Sequence, residues 1–172
     1  DSVIVTLILA FSAIVLLTGS DQLIKWWAVE HLKESGSREF LRIGNFDIMH
    51  LTYLENDGAM FGSFSGMRWI LVIVTSILMG FCIFYMIRHR KEKMLVFCLT
   101  LIISGGLGNI IDRLFRGGRV VDYLDLQLFD FAIFNFADCC VTIGAALLLI
   151  YILFFDKSGK KSQNEIKADN NE

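Results

Sequence analysis

Apolar residues in this chain come in blocks, not at the spacing of an amphipathic helix or the alternation of a half-buried strand. Four runs stand out, at about 3–20, 69–87, 94–111 and 133–155. Each approaches the roughly 20 residues that a helix needs to cross a bilayer. The blocks therefore predict four transmembrane helices. Between the first two, about 30–68, "REFLRI" and "FDIMHLTYL" read as strands joined by Gly44-Asn45, a dipeptide suited to a tight hairpin turn. "NDGAMFGSFSG" then supplies a glycine-rich return to the second span. The last connection, "RGGRVVDYLDLQLFDFA", is too short for a domain and is expected to hold a short interfacial helix. The expected fold class is thus an all-α integral membrane protein: four transmembrane helices with a small extracytoplasmic β-element and a short interfacial helix. One domain would span 1–156, with the β-element at about 38–62 and a disordered, lysine-bearing cytoplasmic tail at 157–172.

Composition agrees: of 172 residues, 55% are hydrophobic, and proline is absent. The first run lacks the basic lead-in and small-residue cleavage site of a secretory signal peptide, and its helical pattern continues through "DQLIKWWAVEHL". It is therefore expected to be a span. A net charge of −2 offers no footprint for nucleic acid. Cys82, Cys98, Cys139 and Cys140 all lie in apolar runs without a C-x-x-C, which fits buried thiols and neither disulfides nor zinc. Trp26, Trp27, Trp69 and Tyr123 fall near span ends, as an aromatic belt would. The densest basic loop, "RHRKEK" at 88–93, should face the cytoplasm, which places both termini there as well.

Polar residues in or beside the spans are few: Asp21, Lys25, Asn109, Asp112, Arg113, Asn135 and Asp138, with Asp122 in the connection before the last run. All fall near the same ends of the helices, so they should gather at one depth, near the outer face. Asp21 and Lys25 are four apart, a spacing that permits an ion pair. Mutual neutralisation is the simplest account of Asp112 and Arg113. Asn135 and Asp138 are three apart and share a face. Asp138 has no basic residue within a turn of its own helix, and a carboxylate in hydrocarbon costs a few kcal/mol, which argues for a function. The three histidines, His31, His50 and His89, are expected in surface loops.

Carboxylates brought within a few Å at a membrane surface cannot both ionise and come to share a proton. The charged member activates water while the protonated one polarises a carbonyl and later protonates the leaving amine. Other intramembrane proteolysis schemes lack their parts here. No H-E-x-x-H is present for zinc, no span-buried histidine serves a serine, and "GLGN" stops short of the G-x-G-D of presenilin-type proteases. On the residues alone, Asp112, Asp122 and Asp125 all remain open as the partner of Asp138.

Five blocks in order, "DQLIK" (21–25), "ENDGAMFG" (55–62), "GGLGNIIDR" (105–113), "VVDY" (120–123) and "FNFAD" (134–138), resemble the bacterial lipoprotein signal peptidases (signal peptidase II). The resemblance implies a four-helix membrane aspartyl endopeptidase with a β-cradle and a short helix over the site. The implied substrate is a prolipoprotein whose cysteine carries diacylglycerol, cut just N-terminal to that cysteine to release the signal peptide. The family's dyad aligns with Asp122 and Asp138. Its supporting residues align with Asp21, Lys25, Asn56, Gly58, Asn109, Asp112, Arg113 and Asn135. No metal or cofactor is implied, and the expected setting is a monomer in the bacterial inner membrane, among lipid, with its site near the outer face. One departure is Ala132, where many members have proline ahead of the F-N motif. The alternatives are a proton-coupled channel or transporter relaying through Asp138 and Asp112, and a noncatalytic membrane scaffold.

Overall fold

The computed structural model describes residues 2–58 and 66–154. The tail expected to be disordered and most of the glycine-rich return lie outside the described residues. Four helices form: α1 (Ser2–Leu32), α2 (Arg68–Arg88), α3 (Lys93–Phe115) and α4 (Phe136–Phe154). All four are long and apolar enough to cross a membrane. Their outward faces carry large exposed apolar side chains such as Leu16, Ile77 and Leu153, the surface that lipid rather than water tolerates.

Helix α3 is the hub, packing against α1, α2 and α4. Glycines make the close approach possible. A side chain at Gly105 would run into the Ala137 carbonyl oxygen of α4, and one at Gly108 into the Asp21 carboxylate of α1. In a bilayer, apolar area alone gives helices little reason to associate, so packing at small residues and interhelical hydrogen bonds carry more of the contact. The site residues are drawn together along this seam.

At 31 residues, α1 is longer than the hydrocarbon core requires. Its last turns support a three-stranded antiparallel sheet, β1 (Arg38–Ile43), β2 (Phe46–Asn56) and β3 (Val120–Leu126), in the order β1-β2-β3. Ala28 and Leu32 of α1 pack with Val121 and Tyr123 of β3 in a small core between helix and sheet. The expected hairpin forms, with Gly44 at a φ of +61° that its turn demands.

The last connection is corrected. It forms strand β3, not a short interfacial helix. "VVDYLDL" alternates core-facing Val121 and Tyr123 with Asp122, and the free edge of β2 satisfies its backbone. Tyr123 is accordingly buried in the small core and not in an aromatic belt, whereas Trp26 and Trp69 are exposed as expected. His31 lies in the last turn of α1, stacked on Trp27, and His50 lies within β2, so neither is a loop residue. His89 caps the C-terminus of α2. The four cysteines are free thiols; Cys82, Cys98 and Cys140 are buried and Cys139 half-buried.

Candidate active site

The first turn of α4 determines where Asp138 stands. Asn135 is the residue before the helix, and its side-chain oxygen accepts the Asp138 N–H at 3.0 Å. Asp138 Oδ2 in turn accepts the Asn135 N–H at 3.0 Å. This is a capping box. The other two N–H groups of that turn are met from elsewhere: Phe136 N–H donates to the Tyr123 hydroxyl at 3.2 Å and Ala137 N–H to Asp21 Oδ1 at 3.1 Å. Every backbone donor at the start of α4 is therefore held, from β3, from α1 or from its own cap. Looking only for a basic partner on the same helix overlooks this local role.

The remaining oxygen of Asp138 accepts the Asn109 side-chain N–H at 2.8 Å. Asn109 Oδ1 accepts from Lys25 at 2.9 Å and from Asn135 at 3.2 Å. An ammonium can only donate, so Lys25 holds the Asn109 oxygen toward itself and turns the amide nitrogen toward Asp138.

Lys25 is fully buried, a costly position unless its donors are met. Besides Asn109 it meets Asp21 at 2.9 Å and Asp112 at 3.1 Å. Asp112 also accepts the Val121 N–H of β3, the Gln22 amide and Arg116. The expected neutralisation of Asp112 by Arg113 is corrected. Consecutive helical residues diverge by about 100° and cannot face each other. Arg113 instead donates to the Gly58 carbonyl at 2.9 Å.

Asp122 projects from β3 on the face opposite Val121, almost fully buried. Its Oδ1 accepts the Asn135 side chain at 2.6 Å and its Oδ2 accepts Asn56 at 3.0 Å. Asn56 Oδ1 accepts the Gly58 N–H, which closes the circuit to Arg113. Burial first, then the negative charge of Asp138, push the Asp122 carboxyl up to about 6, against the pull of the two amides. Asp125, three residues along the strand, takes the Thr52 hydroxyl at 2.8 Å and stays outside this circuit.

All ten residues singled out in the sequence thus join one continuous hydrogen-bonded network at one end of the bundle. Asn135 touches both Asp122 and Asp138. Gln22 and Tyr123 belong to the network and were missed. Gln22 sits inside "DQLIK", and Tyr123 was assigned to the membrane interface.

The model of the family described as signal peptidase (SPase) II matches residues 13–154. The chain belongs to the signal peptidase II family. It is an aspartic protease and a multi-pass bacterial membrane protein. The lipoprotein signal peptidase of Halothermothrix orenii is 40% identical over 81% of this chain and 91% of its own. That of Streptococcus agalactiae serotype V is 42% identical over 84% and 92%. A bacterial membrane enzyme solved by the in meso method at 2.3 Å superposes with a TM-score of 0.75 at 32% identity, covering 88% of this chain and 90% of that one. A second, at 1.9 Å, gives 0.72 at 32% identity over 86% and 94%. In this signal peptidase II chain the matched region runs from within α1 to the end of α4, and so includes every member of the polar network.

Proposed function

We propose that this signal peptidase II family member removes signal peptides from diacylglyceryl-modified prolipoproteins, cutting N-terminal to the lipidated cysteine with a water activated by Asp122 and Asp138. The observation that carries the reading is the position of Asn135, whose amide holds Asp122 while its backbone N–H holds Asp138. The pair share a neighbourhood in which both cannot comfortably ionise.

The surroundings divide the roles. Asp138, at a helix N-terminus with two N–H donors, is the charged member and takes a proton from water. Asp122, buried on the sheet, holds the shared proton, polarises the scissile carbonyl and passes a proton to the leaving amine. A docked substrate excludes more water and raises Asp122 further. The buried Arg113 Nε has no partner among the described residues and is available to a substrate carbonyl. Asp21, Lys25, Asn109 and Asp112 orient the pair, while Asn56 and Gly58 support Asp122 from β2 and the residues after it.

Acyl chains anchor the substrate cysteine at the membrane surface, so the bond beside it must be met at that depth. A network confined to the helix ends suits this, with the site at the outer face, both termini cytoplasmic, and one domain acting as a monomer. Water is the only co-reactant, with neither metal nor organic cofactor.

The test is cleavage of a lipidated prolipoprotein by pure protein in detergent. Asp122→Asn and Asp138→Asn should each abolish cleavage, and the double variant should be little worse, because the two act as a unit. Asp125→Asn should retain most activity. An active Asp122→Asn beside a dead Asp125→Asn would overturn the pairing.

A further inference from the structure

The C-terminal end of β2 presents two different faces. Beyond the slip in register between Leu51 and Leu54, Leu54 pairs with Asp122, Glu55 with Val121 and Asn56 with Val120. Paired residues of an antiparallel ladder point to one face, and neighbours along a strand point to opposite faces. Leu54 and Asn56 therefore share the face of Asp122. Contacts on both sides agree. The Asn56 amide reaches Asp122 Oδ2 at 3.0 Å. On the other face, Tyr53, Glu55 and Val121 line a cavity together with Val29 of α1.

Cross-strand partners hold their Cβ atoms about 5 Å apart. Asp122 thus has two neighbours from β2 on this face: the Asn56 amide, which bonds to it, and the Leu54 side chain, which has nothing to donate or accept. Asp122 is 2% exposed and Leu54 41%. Single exposed leucines are ordinary on a protein surface. This one is set apart by its place, an open apolar group against a buried carboxyl. It belongs to neither apolar core of the described residues, so core packing does not account for it.

An extended peptide that reaches Asp122 alternates its side chains to either side of its backbone. A diacylglyceryl group on the cysteine has to run toward the helices, whose outward faces carry the apolar surface that acyl chains match. The residue before the cysteine then points the other way, toward the sheet. On the reading of the substrate as a lipidated prolipoprotein, we propose that Leu54 packs against the side chain of that preceding residue and limits its size. Leu54 is a specificity-determining residue beside the proton-holding member of the pair.

The test uses pure full-length protein in detergent and two lipidated prolipoproteins, with Ala or Leu immediately before the cysteine. The wild type should favour Ala by about tenfold or more in kcat/KM, and Leu54→Ala should cut that preference about tenfold, within the range that apolar pockets achieve for small differences in size. Leu54→Phe should widen the preference, and Leu54→Met, of similar volume, should keep it. The ratio is read within one protein. A variant that folds poorly, or merely lets water reach Asp122, slows both substrates and leaves the ratio unchanged. Phe46→Ala, at the far end of β2 and also exposed, should keep the wild-type ratio.

An unchanged ratio in Leu54→Ala and Leu54→Phe would overturn the proposal. So would equal cleavage of the two substrates by the wild type, or a shift with Phe46→Ala as large as that with Leu54→Ala. The same Ala and Leu pair placed immediately after the cysteine should not respond to Leu54; a response there in place of the preceding position would overturn the assignment. Failure of the wild type to cleave any lipidated substrate would sink the proteolytic reading and Leu54 with it, whereas cleavage with an unmoved ratio sinks Leu54 alone. Leu54→Phe keeps the test decisive if the smaller side chain loosens the sheet.

Discussion

Lys25 Nζ lies 2.9 Å from Asn109 Oδ1, and through that one contact a fully buried cation on α1 decides which way an amide on α3 faces Asp138 on α4. The charge of Lys25 is also shared between Asp21 and Asp112, so position and neutrality are coupled. Lys25→Met removes the cation between two buried carboxylates and leaves Asp21 without one, and it should cost about 3–5 kcal/mol, the usual penalty for breaking a buried ion pair. Adding Asp112→Asn should recover part of that loss. The pair should be markedly non-additive in a double-mutant cycle of detergent unfolding. Additive losses would mean that the contact carries no coupling.

Asp122 makes both activity and stability depend on pH, in directions that follow from its raised pKa of about 6. In the proposed mechanism cleavage needs a proton on the pair, so kcat/KM should fall as pH rises above about 6. Its folded pKa lies above the 3.8 of an ordinary aspartate, so the folded state binds this proton more tightly than the unfolded chain does. The resulting stability is fully present below about pH 4 and is lost as pH rises through about 6, roughly 3 kcal/mol by linkage. Unfolding followed across pH 4–8 should show this decline in the wild type and its loss in Asp122→Asn. A decline that is the same in both proteins would remove Asp122 as its cause.

Gly108 is where α1, α3 and α4 close on one another. A methyl group there meets the Asp21 carboxylate, with the Ala137 Cβ 3.2 Å away. Neither yields easily, because Lys25 and the Ala137 N–H hold that carboxylate. Gly108→Ala should cost about 1–3 kcal/mol as an overpacking change and should lower kcat through the displaced first turn of α4. Gly80→Ala, with nothing within 4 Å, is the matched control and should leave cleavage intact. Comparable losses in the two variants would mean that the contact at Gly108 is not their cause, since alanine by itself favours a helix over glycine.

Orientation is open to a labelling experiment. With "RHRKEK" in the cytoplasm, a cysteine introduced at Ser37 should react with an impermeant thiol reagent on intact cells, and one at Lys91 should not. The native thiols, buried or half-buried, should give little background. Labelling at Lys91 but not at Ser37 would invert the topology and with it the outer-face site.

Block hydropathy was enough to recover all four helices, because length and apolarity are local properties that a bilayer reads directly. Gly44-Asn45 marked the hairpin for a similar reason, since a positive φ is a property of a few residues. What was not local was not legible. "VVDYLDL" became a strand because the second edge of β2, more than 60 residues away, had backbone groups to pair. Arg113 turned from its neighbour Asp112 to Gly58 because helix geometry separates the first two and tertiary packing joins the last two. Asp138 stands out in the sequence as costly in hydrocarbon, yet its partners are amides from Asn109 and Asn135, which a search for opposite charge does not find. The residues alone left three candidates beside Asp138, and in the fold these three have different partners. Asp112 is engaged by Lys25, Asp125 by Thr52, and only Asp122 meets Asn135. Sequence by itself thus determined which residues would be expensive in a membrane and at which helix ends they would lie. Only the packing of α1, α3 and α4 through glycine decided which of those residues touch, because hydrogen bonds depend on positions to within a fraction of an ångström and a linear chain specifies those only once it is folded.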